Sequence, residues 1–262
     1  MASKGKPYLQ PQETQRYLER IGLSNAPRVT LEGLAALLRC HLLHVPFENI
    51  DVMLHIPISL DAASLYQKLV VKRRGGFCYE LNGLFCTLLN SLGFNARRIS
   101  ARVFDPERGY GPEYDHMAIV VPLEGREYLC DVGFGEFCFT PIDIIPTSTH
   151  IDARGNYRMD SFGEGFLVTR LTEREVGNPQ YAFTTQAQPV VAFNKMCHYH
   201  QTSPDSPFTQ KRLVSLATET GRITLSGQEL IQTENGRVIR EKIESPEHFD
   251  MLYNRLFAKR AT

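Results

Sequence analysis

A cysteine stands directly after a pair of glycines in the segment RRGGFCYELNGLF, residues 73–85. If a helix begins at Cys78, the thiol lies in its first turn, where unpaired N–H groups and the helix dipole favour negative charge. We therefore expect the pKa of this thiol to fall below the ordinary value of about 8.5. Gly75 and Gly76 would let the preceding chain turn tightly. The segment predicts an activated nucleophile, although a small apolar residue at a helix start would account for Cys78 equally well.

A nucleophilic thiol needs a base, and the base needs a group that orients it. His116 begins the apolar stretch HMAIVVP, and Asp131 follows fifteen residues later within YLCDVGFG. A carboxylate among apolar neighbours needs a bonding partner. A core histidine and a turn aspartate would explain either residue alone. The three residue types together, in the order Cys78, His116 and Asp131, favour a catalytic triad.

The linker between the two stretches decides whether His116 and Asp131 can meet. A two-residue hairpin turn at Glu124-Gly125 would set Leu123 opposite Arg126. His116 would then lie diagonally across from Asp131 on the same face, about 7–8 Å away between backbones. A register slip of one residue would put the two side chains on opposite faces and remove the triad.

Other clusters of chemically active residues are weaker candidates. The stretch CHYH holds Cys197, His198 and His200, but no second cluster follows at zinc-finger spacing, so we predict no metal site. His41 and His44 lie among apolar residues of a predicted helix and are expected to be structural. The chain also lacks the glycine-rich nucleotide-binding fingerprints.

The first third of the chain is predicted to be helical and to position the thiol. Thr30 and Ser59 are candidate caps for two helices, and a third begins at about Cys78 and stops at Gly93. Along this third helix the apolar residues keep helical spacing: Leu81, Leu84, Phe85, Leu88, Leu89 and Leu92. That spacing indicates a helix with a buried face behind Cys78.

The sequence after residue 95 changes to short alternating stretches rich in branched side chains, which predict strands. These stretches are 96–104, 115–122, 127–134, 212–219 and 221–227. A final helix is expected after Ser245-Pro246, a cap followed by a first-turn proline. Helices, then strands, then a mixed end indicate an α+β fold rather than alternating βαβ units.

Composition limits the classes of partner. The chain has 29 Lys+Arg and 29 Asp+Glu, so its net charge of zero gives no general attraction to nucleic acid or an anionic membrane. The N-terminal stretch has no apolar region of a signal peptide, and no run of 18 apolar residues could span a bilayer. The six cysteines form no CxxC pair. We therefore expect a cytoplasmic protein with reduced thiols and no nucleic-acid or membrane partner.

Five motifs, in order along most of the chain, resemble the arylamine N-acetyltransferase family. They are VPFENID (45–51), RRGGFCYELNGLF (73–85), DHMAIVV (115–121), YLCDVGFG (128–135) and YHQTSPDSPF (199–208). The resemblance implies an α+β fold with three parts. These are an N-terminal helical bundle (1–95), a central β-barrel (96–200) and a C-terminal α/β lid (201–262), around a papain-like Cys-His-Asp core.

The resemblance also implies the reaction. Acetyl-coenzyme A would be the cosubstrate, without a metal, and Cys78 would take its acetyl group in a ping-pong mechanism. An arylamine, arylhydrazine or N-hydroxyarylamine would then accept the acetyl group from the cysteine. His116 would move the protons, and Asp131 would orient and stabilise His116.

Binding residues follow from the same resemblance. The acceptor would contact Phe47, Val103 and Phe134, and coenzyme A would contact Tyr199, Thr202, Ser203 and Ser206. Ordinary core packing and a plain surface turn are the alternatives for these two groups. A Glu48–Arg74 ion pair is also expected to hold the cysteine loop.

Three other functions use the same residues. A transglutaminase-like acyltransferase or cysteine hydrolase has the same triad in the same order. The arylamine N-acetyltransferase family, which this sequence resembles, also has a variant that acts as an amide synthase and closes a macrolactam. A thiol-based sensor would use Cys78 without forming any acyl intermediate.

Overall fold

The computed structural model describes residues 8–172 and 176–258. The α-helices are α1 (Pro11–Arg20), α2 (Leu31–His44), α3 (Ile50–Met53), α4 (Ala62–Tyr66), α5 (Cys78–Ser91), α6 (Asn194–Thr202) and α7 (Pro246–Tyr253). Most of the helical residues therefore precede the long strands, as the sequence predicts. Within these ranges, no helix combines the length and apolar character needed to cross a bilayer.

The strands form two antiparallel sheets. The strands are β1 (Phe47–Glu48), β2 (Arg97–Asp105), β3 (Gly109–Tyr110), β4 (His116–Leu123), β5 (Arg126–Cys130), β6 (Ile142–Asp143), β7 (Ser148–Asp152), β8 (Gly155–Phe162), β9 (Gly165–Leu171), β10 (Gly177–Phe183), β11 (Leu213–Thr218), β12 (Gly221–Ser226), β13 (Glu229–Glu234) and β14 (Arg237–Lys242). The larger sheet runs β6-β5-β4-β2-β10-β9-β8-β7, with β3 beside β2. Its end strands β6 and β7 lie against each other, so the sheet is nearly closed like a barrel. The predicted α+β class is confirmed.

The smaller sheet joins distant parts of the chain. It runs β1-β11-β12-β13-β14, so a two-residue strand from the N-terminal region forms its edge. Phe47 pairs with Ser215, and Glu48 pairs with Val214. The C-terminal part of the chain is thereby attached to the segment that leads to Cys78. The division of the chain into three parts at residues 95 and 200 stays a prediction. Strand β1 shows that the N-terminal and C-terminal parts contribute to one sheet.

The β4–β5 hairpin has the predicted register. Leu123 pairs with Arg126, and the turn residues Glu124 and Gly125 both have positive φ, at 53° and 78°. Positive φ at both central positions is the type I′ geometry that matches the twist of a hairpin. Because this register is fixed, His116 and Asp131 project from the same face of the sheet.

Two of the three helix starts predicted for the first third of the chain are confirmed. The Thr30 side chain accepts from the Gly33 N–H and caps α2, and α5 begins at Cys78. The Ser59 prediction is wrong, because the cap of α4 is Asp61, whose carboxylate accepts from the Ser64 N–H at 2.9 Å. The Ser59 hydroxyl instead donates to the Asp61 carboxylate at 2.6 Å.

Contacts within the helical region account for both histidines of α2, of which His41 is buried and His44 is partly buried. His41 lies in the helical core, 3.0 Å from the Tyr17 hydroxyl, and burial lowers its pKa to about 3. The His44 ring bonds the Cys40 carbonyl at 2.8 Å. Both contacts are internal to the helical region, in keeping with the predicted structural role.

Candidate active site

Helix α5 presents the thiol from its first residue. The Glu80 carboxylate accepts from the Phe77 N–H at 3.1 Å and so caps the helix. Behind Cys78, the helix is buried along nearly its whole length, which fixes its position against β4. The Cys78 side chain itself is 3% exposed. A rigid, capped helix therefore holds the sulfur at one point, as a nucleophile requires.

His116 and Asp131 meet as the hairpin register predicts. The distance between His116 Nε2 and Asp131 Oδ2 is 2.6 Å, and both side chains are buried. The Asp131 carboxylate accepts three further hydrogen bonds, from the Asn82 amide and the Gly133 N–H at 2.8 Å and from the Tyr181 hydroxyl at 3.0 Å. A buried carboxylate with four donors is held in place and remains an acceptor for the imidazole.

Two of these donors were not identified from the sequence. Asn82 lies one helical turn after Cys78 on a buried helix, and it also donates to the Met117 carbonyl at 2.6 Å and accepts from the Val132 N–H at 2.9 Å. Asn82 is a polar residue on an otherwise apolar face of the predicted helix, and this exception could have marked it as a functional residue. Tyr181 lies in β10, in a segment without a predicted strand.

A glycine brings the loop after Asp131 against the nucleophile. A Cβ atom at Gly133 would lie 2.7 Å from the Cys78 Cα, closer than side chains approach backbone. The next residue, Phe134, packs its ring against the His116 ring with 5.3 Å between centroids. Gly133 thus allows the loop to close the site, and Phe134 forms one wall beside the base.

Burial opposes ionisation of the isolated thiol. It raises the pKa of Cys78 well above its usual range, and the charges of Asp131 and Asp115 act in the same direction. A hydrogen bond from the Met117 backbone favours the thiolate but is the smaller effect. The lowered thiol pKa predicted from helix position alone is therefore wrong in direction, because desolvation disfavours the thiolate.

One cavity of about 780 Å³ brings the predicted binding residues together with the thiol and base. Its walls include Cys78 and His116, the three predicted acceptor residues Phe47, Val103 and Phe134, and Tyr199 of the predicted coenzyme residues. Their roles as ligand contacts stay predictions.

The other predicted coenzyme residues do not line that cavity. Thr202 is exposed and bonds the His198 carbonyl at 2.9 Å, and Ser203 ends α6. Ser206 is fully buried, and its hydroxyl contacts both the ring and the backbone of His200. The geometry gives Ser206 a structural role, and its contact with coenzyme A stays a prediction.

A charged network lies below the cysteine loop. Arg74 Nε donates to Glu48 Oε1 at 2.7 Å, which confirms the predicted ion pair, and another Arg74 nitrogen lies 2.9 Å from Asp51. Lys68 contacts both Asp51 at 2.7 Å and Glu80 at 2.8 Å. Burial raises the pKa of Glu80 to about 7, although Lys68 acts against this rise. The network joins the helix cap to the segment just before the glycine pair.

Within residues 8–172 and 176–258, no group of three or more His, Cys, Asp and Glu side chains could hold a metal ion. In the CHYH stretch, the His200 ring is bonded to Asp115 and Ser206, each at 3.1 Å.

Comparison with known proteins gives consistent matches over most of the chain. A family model described as N-acetyltransferase matches residues 30–259. The arylamine N-acetyltransferase of Mycolicibacterium smegmatis is 34% identical over 246 residues, which are 91% of this chain and 89% of the relative. The arylamine N-acetyltransferase of Escherichia coli (strain K12) is 32% identical over 228 residues, which are 86% of this chain and 81% of the relative.

Solved structures agree with the fold. The arylamine N-acetyltransferase from Salmonella typhimurium superposes with a TM-score of 0.89 at 26% identity, covering 97% of this chain and 93% of the other. The Mycobacterium marinum arylamine N-acetyltransferase in complex with CoA gives a TM-score of 0.86 at 28% identity, covering 94% of this chain and 93% of the other.

The network below the loop gives a stability prediction. Glu48→Gln removes the anionic partner of the half-buried Arg74 and weakens the contact from the Tyr253 hydroxyl, which is 3.0 Å from Glu48. We expect a loss of about 1–3 kcal/mol in the free energy of unfolding, and slower alkylation of Cys78 by iodoacetamide because the loop is less well held. Thermal denaturation and intact-mass kinetics measure the two effects.

Glu229→Gln is the matched control, since Glu229 pairs with Arg240 on the surface where both side chains are more than half exposed. An exposed pair of this kind contributes about 0–1 kcal/mol. If Glu48→Gln matched this control in both stability and alkylation rate, the network would have no role in holding the loop.

Proposed function

The chain belongs to the arylamine N-acetyltransferase family, and on that premise we propose that Cys78 carries an acetyl group from acetyl-coenzyme A to an aromatic amine by a ping-pong mechanism. The observation that carries the proposal is that His116 lines the same cavity as Cys78 and is bonded from behind, at 2.6 Å, to the fully buried Asp131. This arrangement provides a nucleophile and a base in the wall of one cavity, with a carboxylate behind the base to orient it.

The first half-reaction moves the acetyl group to the protein. His116 accepts the Cys78 proton, and the resulting thiolate attacks the thioester carbonyl of acetyl-coenzyme A. The bond between the acetyl carbon and the coenzyme sulfur breaks, and His116 returns the proton to the departing thiolate. Since Asp131 Oδ2 bonds Nε2 of the ring, Nδ1 is the nitrogen left for these transfers. Exchange between two thioesters is nearly balanced in energy, which suits a covalent relay.

The second half-reaction moves the acetyl group to the acceptor. The lone pair of the amine attacks the acetyl carbon on Cys78, His116 takes the amine proton, and the carbon–sulfur bond breaks to release the amide. Both half-reactions pass through an oxyanion. The Cys78 N–H is a suitable donor to it, because N–H groups in the first turn of a helix have no acceptor within the helix.

The cavity walls favour an aromatic acceptor. Phe47, Phe134 and Val103 give one apolar region near the thiol, and Phe208 extends it, with its ring 6.0 Å from that of Phe47. We assign the flat ring of an arylamine, arylhydrazine or N-hydroxyarylamine to this region. Tyr199, on α6, is the predicted coenzyme residue best placed to contact the pantetheine arm.

Intact-mass measurement tests the covalent step. Mixing the protein with acetyl-coenzyme A should add one acetyl group, about 42 Da, and an arylamine should then remove it. Cys78→Ala should show no adduct. Cys40→Ala is the matched control, since Cys40 is a partly exposed cysteine elsewhere and its loss should leave acetylation unchanged.

A folded protein that gains no acetyl group would contradict the proposal. Ammonia release from a glutamine substrate, with no reaction toward acetyl-coenzyme A, would indicate a transglutaminase-like activity instead. A change in partner binding on Cys78 alkylation, without any acyl adduct, would indicate a thiol sensor.

A second prediction tests the role of the carboxylate. Asp131→Asn removes the negative charge that stabilises a protonated His116, so we expect acetyl transfer to fall by about 10³-fold or more. Steady-state rates with acetyl-coenzyme A and an arylamine measure this. Asp160→Asn, which removes a more exposed carboxylate paired with Arg158, should keep the wild-type rate. A full rate in Asp131→Asn would mean that the carboxylate does not support the base.

A further inference from the structure

The loop after Asp131 is held at its start but has little to hold it further on. The Gly133 N–H donates to the Asp131 carboxylate at 2.8 Å. In the described part of the chain, the backbone of residues 134–136 makes one hydrogen bond, through the Gly135 carbonyl. Gly135 has a φ of 88°, and no atom from elsewhere in the chain lies within 4 Å of the place that a Cβ would take. The position of Gly135 therefore depends on the group that bonds its carbonyl.

That group is Arg222, on β12 of the smaller sheet. One terminal nitrogen of Arg222 donates to the Gly135 carbonyl, and the other donates to the Ser215 hydroxyl at 2.8 Å. Both Arg222 and Ser215 line the cavity that holds the thiol. Among the described residues Arg222 makes no salt bridge with a carboxylate, and Glu136 is bonded instead by Arg170 at 3.0 Å. The guanidinium is therefore a bridge between two neutral oxygens, one on the sheet and one on the loop.

The bridge connects the supports of two aromatic side chains in the cavity wall. Ser215, on β11, pairs with Phe47 of β1, and β11 lies beside β12, so Phe47 belongs to the same piece of sheet as Arg222. Phe134 directly precedes the residue whose carbonyl Arg222 bonds, and its ring packs against His116. The separation of Phe47 and Phe134 is thus set in part by one side chain.

We propose that Arg222 is a positioning residue for the acceptor: by bridging the sheet to the loop, it holds Phe134 at the distance from Phe47 that a flat aromatic ring requires. The inference rests on the proposed function in taking an arylamine as the acceptor and these two side chains as its walls.

The base and its carboxylate are held without this bridge. His116 bonds Asp131 at 2.6 Å, and the Gly133 N–H bonds the same carboxylate before the chain reaches Phe134. Loss of the bridge should therefore displace Phe134 and weaken binding of the acceptor, while the transfer of the acetyl group to Cys78 continues.

Separate measurement of the two half-reactions tests the proposal. Arg222→Gln removes the planar fork that bonds both oxygens. We expect acetylation of Cys78 by acetyl-coenzyme A to stay within about twofold of the wild-type rate. In the second half-reaction, the concentration of p-anisidine, a neutral arylamine, that half-saturates the acetylated protein should rise by about fivefold or more. Arg240→Gln is the matched control, because Arg240 is an exposed arginine of the same sheet that pairs with Glu229, and both steps should keep wild-type values.

Two further variants show how Arg222 acts. In a Phe134→Ala protein, adding Arg222→Gln should change the half-saturating concentration by less than about twofold, because the ring that the bridge positions is already absent. Arg222→Lys keeps the positive charge, but an ammonium group lacks the fork that bonds two oxygens at once, so we expect this concentration to rise in Arg222→Lys as well.

An unchanged half-saturating concentration in Arg222→Gln, or an equal loss in both half-reactions, would overturn the proposal. An equal effect of Arg240→Gln, or the full effect of Arg222→Gln without the Phe134 ring, would also overturn it. A wild-type value in Arg222→Lys would do the same, since positive charge alone would then suffice, as it would for an anionic ligand group. Should Arg222→Gln fail to fold, Arg222→Lys decides.

Failure of the proposed function gives a different result. If the wild-type protein gains no acetyl group, the proposed function is wrong, and the dissociation constant of p-anisidine is measured by NMR titration of the proteins without a donor. Arg222→Gln should then raise this dissociation constant by about fivefold or more, and a wild-type value would overturn the inference.

Discussion

The site depends on one constraint: a carboxylate buried away from water must have all its acceptor positions occupied. Asp131 meets this constraint through donors from four separate parts of the chain, which are α5, strand β4, strand β10 and the loop at Gly133. Each donor that satisfies the carboxylate also brings its own element to the site. The same contacts that remove the cost of burial therefore bring helix α5, His116 and the loop at Gly133 together around one carboxylate.

Burial has a second consequence, because it acts against the thiolate. The same exclusion of water that strengthens the His116–Asp131 contact raises the pKa of Cys78. The proposed mechanism meets this cost by moving the proton from the sulfur to His116, so that two opposite charges form together while Asp131 bonds the ring.

Features set by local sequence could be predicted, and features set by packing could not. The start of α5 at Cys78 and the turn at Glu124-Gly125 follow from nearby residues, and the turn sets the register that brings His116 to Asp131. The barrel strands β7 to β10 were not predicted. Apolar residues that face outward, such as Ile151, which is 80% exposed, interrupt the alternation of apolar and polar residues that predicts a strand. The donor Tyr181 was missed along with its strand.

The two wrong predictions have the same origin in tertiary context. Ser59 and Asp61 are both good helix caps, and only the path of the chain decides that Asp61 takes the role. The thiol at a helix start has a lowered pKa in a solvated setting, but the depth of Cys78 in the fold reverses the sign. The pairing of Asp115 with His200 likewise joins residues 85 positions apart and has no local signal.

The most direct test of this account is the ultraviolet absorbance of the thiolate, measured against pH in the wild-type protein, His116→Gln and Cys78→Ala. If the thiolate exists through its pairing with His116, wild type should show one thiolate at neutral pH. His116→Gln should then lose it until strongly alkaline pH, and Cys78→Ala should define the background. Equal thiolate absorbance in wild type and His116→Gln at neutral pH would contradict the account, because the helix start would then ionise the sulfur without its partner.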